Sequence, residues 1–263
     1  METMIRLSAA VGIFSIMIVW EYLSPRRKHQ LNRQQRWPIN LGLAAFNMLF
    51  MRLTIGSLAY LSAVYASEQS FGLLNRLPLS EWMSIIATLL LLDFAIYCQH
   101  IVMHKYPPLW RLHQVHHTDL EFDATTAVRF HPMEIIVSML YKTVCIVLLG
   151  ANPWAVIAFE IILNGAATFN HSNVDISPAI DKNLRRLIIT PDMHRIHHST
   201  VPAETDSNYG FSISCWDRLC KTYRAEPKEP QTTMAIGLTA FRSQQELTFM
   251  QLLALPFRSL RRR

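Results

Sequence analysis

The sequence predicts an all-α, multi-pass membrane protein with about three full spans and a helical hairpin, capped by a cytoplasmic histidine-rich helical region. Three observations carry this. Of the 263 residues 51% are apolar and 17% charged, and the apolar ones bunch into runs of membrane-spanning length. Prolines and basic clusters punctuate those runs. The histidines gather where the runs end and in the polar segments that follow.

The first run, residues 5–23, is just long enough to cross a bilayer. A signal peptide is disfavoured, because the basic leader is thin and no small-x-small cleavage site follows. Pro25-Arg26-Arg27-Lys28 stops the helix, and Arg33 and Arg36 extend a positive loop. The positive-inside rule puts that loop in the cytoplasm and the N-terminus outside. Pro38 opens the second span, residues 41–65, within which Arg52 requires a partner or a polar cavity. The loop 66–80 carries little positive charge and fits the outer side. The third span, 81–104, contains Asp93, which is either functional or a hydrogen-bonded structural carboxylate.

Residues 105–129 are polar, broken at Pro107-Pro108, and end in an acidic patch of Asp119, Glu121 and Asp123. The apolar arms 133–150 and 154–169 flank an Asn152-Pro153 turn signal. Each arm is near the lower limit for a span, so the segment 133–170 reads as a hairpin that dips in and returns to its starting face. From Ser172 onward the chain is polar. Residues 247–255, with Arg258 and Arg261 to Arg263, read either as an amphipathic helix on the membrane surface or as a plain solvated basic tail. The whole is one domain, 1–263: N-terminal spans (1–104), a histidine-rich catalytic region (105–225) and a basic amphipathic tail (226–263).

The net charge of +6 sits beside apolar runs and sets topology; nothing in the chain is built for nucleic acid. The four cysteines follow neither a CxxC pattern nor a secreted framework and are expected as reduced thiols.

Chemistry concentrates in the histidines. His100 and His104 form HxxxH, and His113, His116 and His117 form HxxHH. His194, His197 and His198 repeat HxxHH, and His171 stands alone after Asn170. Imidazoles at i, i+3 and i+4 share a helix face, and neutral imidazole ligates iron, zinc, copper and nickel. The hairpin returns His171 to the side that holds the others. Glu160 and Asn164, in the returning arm, are placed to orient a ligand. A membrane zinc hydrolase is a poor fit, since HIVMH lacks the glutamate of HExxH. A metal-binding transport protein would set its ligands along a midplane path, whereas these lie at one face.

The segments HIVMH, RLHQVHH, RFHP, FNHSN and MHRIHHS, followed by ETDSNYGFSISCWDRLCKTY, resemble the fatty acid hydroxylase superfamily, which includes sterol desaturases and sterol methyl oxidases. That resemblance implies a membrane enzyme with two non-haem Fe ions and O₂ as co-substrate, acting on a membrane lipid by hydroxylation in preference to desaturation. It implies His100, His104, His113, His116, His117, His171, His194, His197 and His198 as ligands. His131, in RFHP, takes a place behind them or in the substrate pocket. Many relatives carry a polar residue where this chain has Ala167, so Asn164 or Asn170 is expected to substitute, and Asp192 to support the ligands. His29 is expected to be solvated. Asp206, Asn208, Tyr209 and Gly210 form either a pocket floor or a plain turn. Without a flavin or dinucleotide fingerprint, electrons are expected from a separate reductase, ferredoxin or cytochrome b5-like protein. Sterol, fatty acyl, sphingolipid and carotenoid substrates all fit. The alternative is a histidine-rich metal-binding or transport protein without oxygenase activity.

Overall fold

The computed structural model describes residues 2–258, so the arginines at 261–263 lie outside the described residues. Among the described residues there are twelve α-helices, and the only β pairings are isolated bridges, such as Pro25 with Val174. Four stretches are long and apolar enough to cross a membrane: Thr3–Leu23, Arg33–Glu68, Glu81–Lys105 and Pro132–Leu149. Their large side chains face outward to a degree no soluble protein tolerates, with Val11, Ile16, Leu53, Trp82 and Leu148 all more than half exposed. The protein is a multi-pass membrane protein.

Helix α1 (Glu2–Leu23) packs along α7 (Pro153–Asn170). Gly165 permits this approach, because a Cβ there would stand 2.9 Å from Ile13 Cδ1. At its C-terminal end Glu21 is fully buried and accepts from the backbone N–H groups of Ala124 and Asn173, both at 2.7 Å. The first span is thereby tied to the histidine-rich cap.

Helix α2 (Arg33–Thr54) starts five residues before Pro38, because the Asn32 side chain caps it by accepting from Gln34 N at 2.9 Å. Pro38 lies inside the helix and does not open it. The expected single span 41–65 is broken at Ile55-Gly56-Ser57, where Gly56 has φ +37°, and resumes as α3 (Leu58–Glu68). Arg52 is exposed near the end of α2 and enters no polar cavity. Arg36 is not a loop cation either. It is fully buried, bonding Asp119 through Nε (2.7 Å) and Nη2 (2.8 Å) and Asp123 through Nη1 (2.7 Å). Asn40 and Thr126 also donate to Asp119, and Arg129 reaches Asn40, Thr118 and the Val115 carbonyl. Asp119 and Asp123 of the acidic patch are therefore the interior of a neutral ion network that fastens α2 to the loop following α5, while Glu121 accepts from Gln30 N and Leu31 N.

Helix α4 (Glu81–Lys105) is capped by Ser80 and stops where Pro107 forbids its continuation. Pro107 then opens α5 (Pro107–His117) at the first helical position, where its missing N–H costs nothing. Asp93 accepts from Trp216 Nε1 at 2.8 Å, so it latches α4 to the C-terminal region. Helix α6 (Pro132–Leu149) ends at Gly150 in the left-handed region (φ +65°), and Asn152 caps α7 by accepting from Trp154 N and Ala155 N. The turn is tight against Gly72, whose Cβ would fall 2.2 Å from Gly150 N. This is the expected hairpin, and its two open ends, His131 and His171, lie at one end of the bundle. Within it Glu160 pairs with Lys142 of α6 and Arg6 of α1, so it orients no histidine.

Beyond α7 come α8 (Pro178–Leu184), α9 (Pro191–His197), α10 (Pro202–Thr205) and α11 (Cys215–Leu219). These short helices cover the inner ends of the long ones. The tail segment carries α12 (Phe249–Ala254) and buries Leu247, Leu252 and Leu255 against Leu43 of α2 and Val115 of α5, while Met250 and Phe257 stay exposed.

Candidate metal centre

All nine histidines expected as ligands converge, each at most 3% exposed. They form two groups: His100, His104, His113, His117 and His197, then His116, His171, His194 and His198, with ring nitrogens within 4.8 Å of one another in each. Helix α4 supplies the HxxxH pair, α5 the first HxxHH set, the C-cap of α7 His171, and α9 with its C-cap the second HxxHH set. Each helix contributes neighbours one turn apart. The two groups interleave because His116 and His117 point to different ones, as do His197 and His198.

The protonation pattern shows what these rings are arranged to do. Nδ1–H of His100 donates to the Tyr209 carbonyl, that of His171 to the Ala167 carbonyl and that of His197 to the Ser207 carbonyl, each at 2.7 Å. His113 Nδ1–H donates to Glu134 Oε1 at 2.6 Å. A neutral imidazole has one N–H, so each of these rings presents Nε2 as a bare lone pair. Yet His100 Nε2 lies 3.1 Å from His113 Nε2, which lies 3.2 Å from His117 Nε2. His171 Nε2 faces those of His116, His194 and His198 at 3.0, 3.1 and 3.2 Å. With both Nδ1–H groups committed, the Nε2 lone pairs of His100 and His113 face and repel one another, so that contact is not a hydrogen bond. Nitrogens bound to one divalent ion at about 2.1 Å stand about 3.0 Å apart across a right angle. His197 Nε2 is likewise buried with no protein partner. The donor set fits two cations, one in each group.

Burial holds the His197 imidazole down to about 3, against a supporting bond to Ser207, and also lowers His116, His117, His194 and His198 well below the ordinary histidine value. The unfolded chain takes up these protons near pH 6.5, whereas the folded one refuses them. Stability is thus unaffected above about pH 6.5 and is lost as pH falls from there towards 3. Metal-stripped protein is expected to show a steadily falling denaturation midpoint between pH 7 and pH 5. A flat profile over that interval would show that the rings are not buried as neutral groups.

Other residues support the rings from behind. Asn208, with φ +50°, bonds Met193 and Arg224 and shapes the turn from Asp206 to Gly210. Asp217 accepts from Tyr209 N (2.8 Å) and Gly210 N (2.9 Å). That turn clamps His100 and His197 with its carbonyls, while Asp206 lies 3.5 Å from His104 Nδ1. The other residues expected near the ligands have different tasks. His131 caps α6 through Met133 N, Asp192 pairs with Arg26 and Arg195, and Asn170 donates to the Phe211 carbonyl. Asn164 lines a cavity beside the cluster. His29 is not solvated, for it sits between Glu121 and Asn173. The sequence motifs passed over Glu134; a carboxylate in the first turn of an apolar helix is itself the signal that would have found it.

The cavity measures about 160 Å³. His100 and His113 form part of its wall, with Ile96, Met103, Phe130, Ile135, Leu163 and Phe211 giving it an apolar lining. Its lining comes mainly from α4, α6 and α7.

The model for the family described as fatty acid hydroxylase matches residues 85–222, just over half the chain and all nine histidines. The chain belongs to the fatty acid hydroxylase family. This family member is similar to ornithine lipid hydroxylase OlsE of Rhizobium tropici, at 28% identity over 152 residues (58% of this chain, 45% of that protein). It is similar to alkylglycerol monooxygenase of Homo sapiens, at 26% over 200 residues (75% and 41%). Cholesterol 25-hydroxylase of Rattus norvegicus is 24% identical over 152 residues (57% and 50%). The match spans half or less of each relative's length. No solved structure matches this fatty acid hydroxylase family member.

Proposed function

We propose that this protein is a membrane lipid hydroxylase that uses two non-haem irons and O₂. The observation that carries the reading is the pair of buried imidazole clusters, with the Nε2 lone pairs of His100 and His113 facing one another at 3.1 Å, beside an apolar cavity. The relatives support it, being named hydroxylases and monooxygenases of lipids, and they favour hydroxylation over desaturation. The nine histidines are its ligands. The bound irons supply the O₂-activating redox chemistry that no side chain performs on an unactivated C–H bond.

The chain's own residues do the rest. Glu134 and the carbonyls of Ala167, Ser207 and Tyr209 fix the tautomers and orient the rings. The apolar cavity excludes water and holds a lipid carbon against His100 and His113, while the long helices keep the lipid tail in the bilayer. We place the histidine face in the cytoplasm. The basic residues from Arg26 to Arg36 act on topology during insertion, before Arg26, Arg27 and Arg36 find their folded partners. Electrons arrive there from a separate redox protein.

Metal analysis of detergent-purified protein tests this, alongside lipid extracts from producing cells. Near two irons per chain, a sharp fall in His197→Ala, and a lipid that gains one oxygen only with the wild-type chain are the expected results. No stoichiometric metal after growth with added iron would overturn the proposal. Metal without any oxidised lipid would favour the transport reading.

A further inference from the structure

The cavity beside the histidines is apolar, but three neutral polar groups interrupt it, one from each surrounding helix. Gln99 of α4 immediately precedes His100, Ser138 of α6 lies one turn beyond Glu134, and Asn164 of α7 lies one turn before Ala167, whose carbonyl holds His171. Gln99 Nε2 donates to Ser138 Oγ at 2.9 Å. That bond leaves the Gln99 carbonyl oxygen as an acceptor and the Ser138 O–H as a donor. The Asn164 amide is exposed at the cavity, and no protein group among the described residues holds it. Polar side chains at hydrocarbon depth are costly unless they are matched.

The charge of the lining narrows what matches them. No lysine or arginine lines the cavity, and its one carboxylate, Glu134, is bonded to His113. A phosphate or free carboxylate entering here would find no basic side chain to pair with, and its charge would draw it onto the irons in place of O₂. A wholly apolar chain would leave the amides and the hydroxyl unpaired. Resting on the hydroxylase reading above, we infer that the substrate is a lipid carrying an uncharged hydrogen-bonding group, a hydroxyl or a carboxamide, close to the oxidised carbon. Ser138 and Asn164 each stand about one helical turn, roughly 5 Å, from a residue that holds the histidine cluster, and Gln99 adjoins His100 itself. The polar group therefore docks a few bonds from the carbon presented to His100 and His113. These three residues position the substrate and set its specificity.

Matched sixteen-carbon ligands (~16 carbons keeps the tail constant within the span,) test this on the iron-loaded full chain in detergent, read by ligand-dependent thermal shift. Hexadecanol and hexadecanamide are expected to bind at least about tenfold more tightly than hexadecane. Asn164→Leu, at an exposed position that does not endanger folding, is expected to reduce the alcohol's advantage about fivefold. Gln99→Leu should do the same, with iron content unchanged in both. Hexadecane binding as well as the alcohol overturns the inference while leaving the hydroxylase reading in place. An alcohol preference that survives both substitutions also overturns it. Absence of iron, measured before any lipid is added, removes the reading beneath it.

Discussion

Arg36→Met is expected to destabilise the protein by about 3–5 kcal/mol, the cost of breaking a buried ion pair from one side. Arg36 is fully buried and holds Asp119 through two nitrogens and Asp123 through a third. Burial pushes the Asp119 carboxyl up, but the charge and hydrogen bonds of Arg36 outweigh it and hold the group well below the usual carboxylate range. With Arg36 and Arg129 against Asp119 and Asp123 the network is neutral. Removing Arg36 leaves one uncompensated negative charge in the interior. A loss of this size is a large part of the stability of an ordinary domain, so folded yield should collapse. Adding Asp119→Asn restores neutrality, and the double variant should be more stable than Arg36→Met alone. Denaturation of the three proteins in detergent checks this. A double variant no better than the single one would show that buried charge is not what Arg36 answers.

That network also shows where the sequence was legible and where it was not. Apolar run length marks the spans, and Asn152-Pro153 marks the hairpin turn, because both are local properties of the chain. Histidine spacing identified eight of the nine rings that converge, since i, i+3 and i+4 neighbours must share a helix face whatever surrounds them; the lone His171 came from the family resemblance and the hairpin topology. Arg36 reads locally as one more cation in a basic loop. Only the packing of α2 against the loop after α5 turns it into a buried pair, and no periodicity records that contact. The break at Gly56 escaped for a similar reason: hydropathy continues across it while the backbone does not. The carbonyls that orient His100 and His197 escaped because backbone groups leave no trace in residue identity. His131 resembled a ligand by type, but its position directly before Pro132 is that of a helix cap.

Glu134→Leu is expected to move two properties in opposite directions. The Glu134 carboxylate accepts from His113 Nδ1 at 2.6 Å, while its second oxygen is buried without a partner. In metal-free protein that is a poorly satisfied charge inside an apolar helix, and replacing it with a leucine of similar volume should raise the denaturation midpoint. With metal bound the sign reverses. Nine neutral imidazoles bring no negative charge to two divalent ions, so the carboxylate behind His113 both offsets charge and fixes Nε2 as the free lone pair. Losing a support of this kind typically weakens metal affinity by about 10–100-fold. Glu134→Gln keeps an acceptor for His113 while removing the charge, so its affinity should fall between those of wild type and Glu134→Leu. Iron retention against a graded chelator, measured beside metal-free denaturation, reads both effects. A residue that merely packs would lower stability in both states. If Glu134→Leu does so, or holds iron as tightly as wild type, then His113 is not oriented by this carboxylate for a metal. The opposed signs separate a group kept for the bound cation from one kept for the fold.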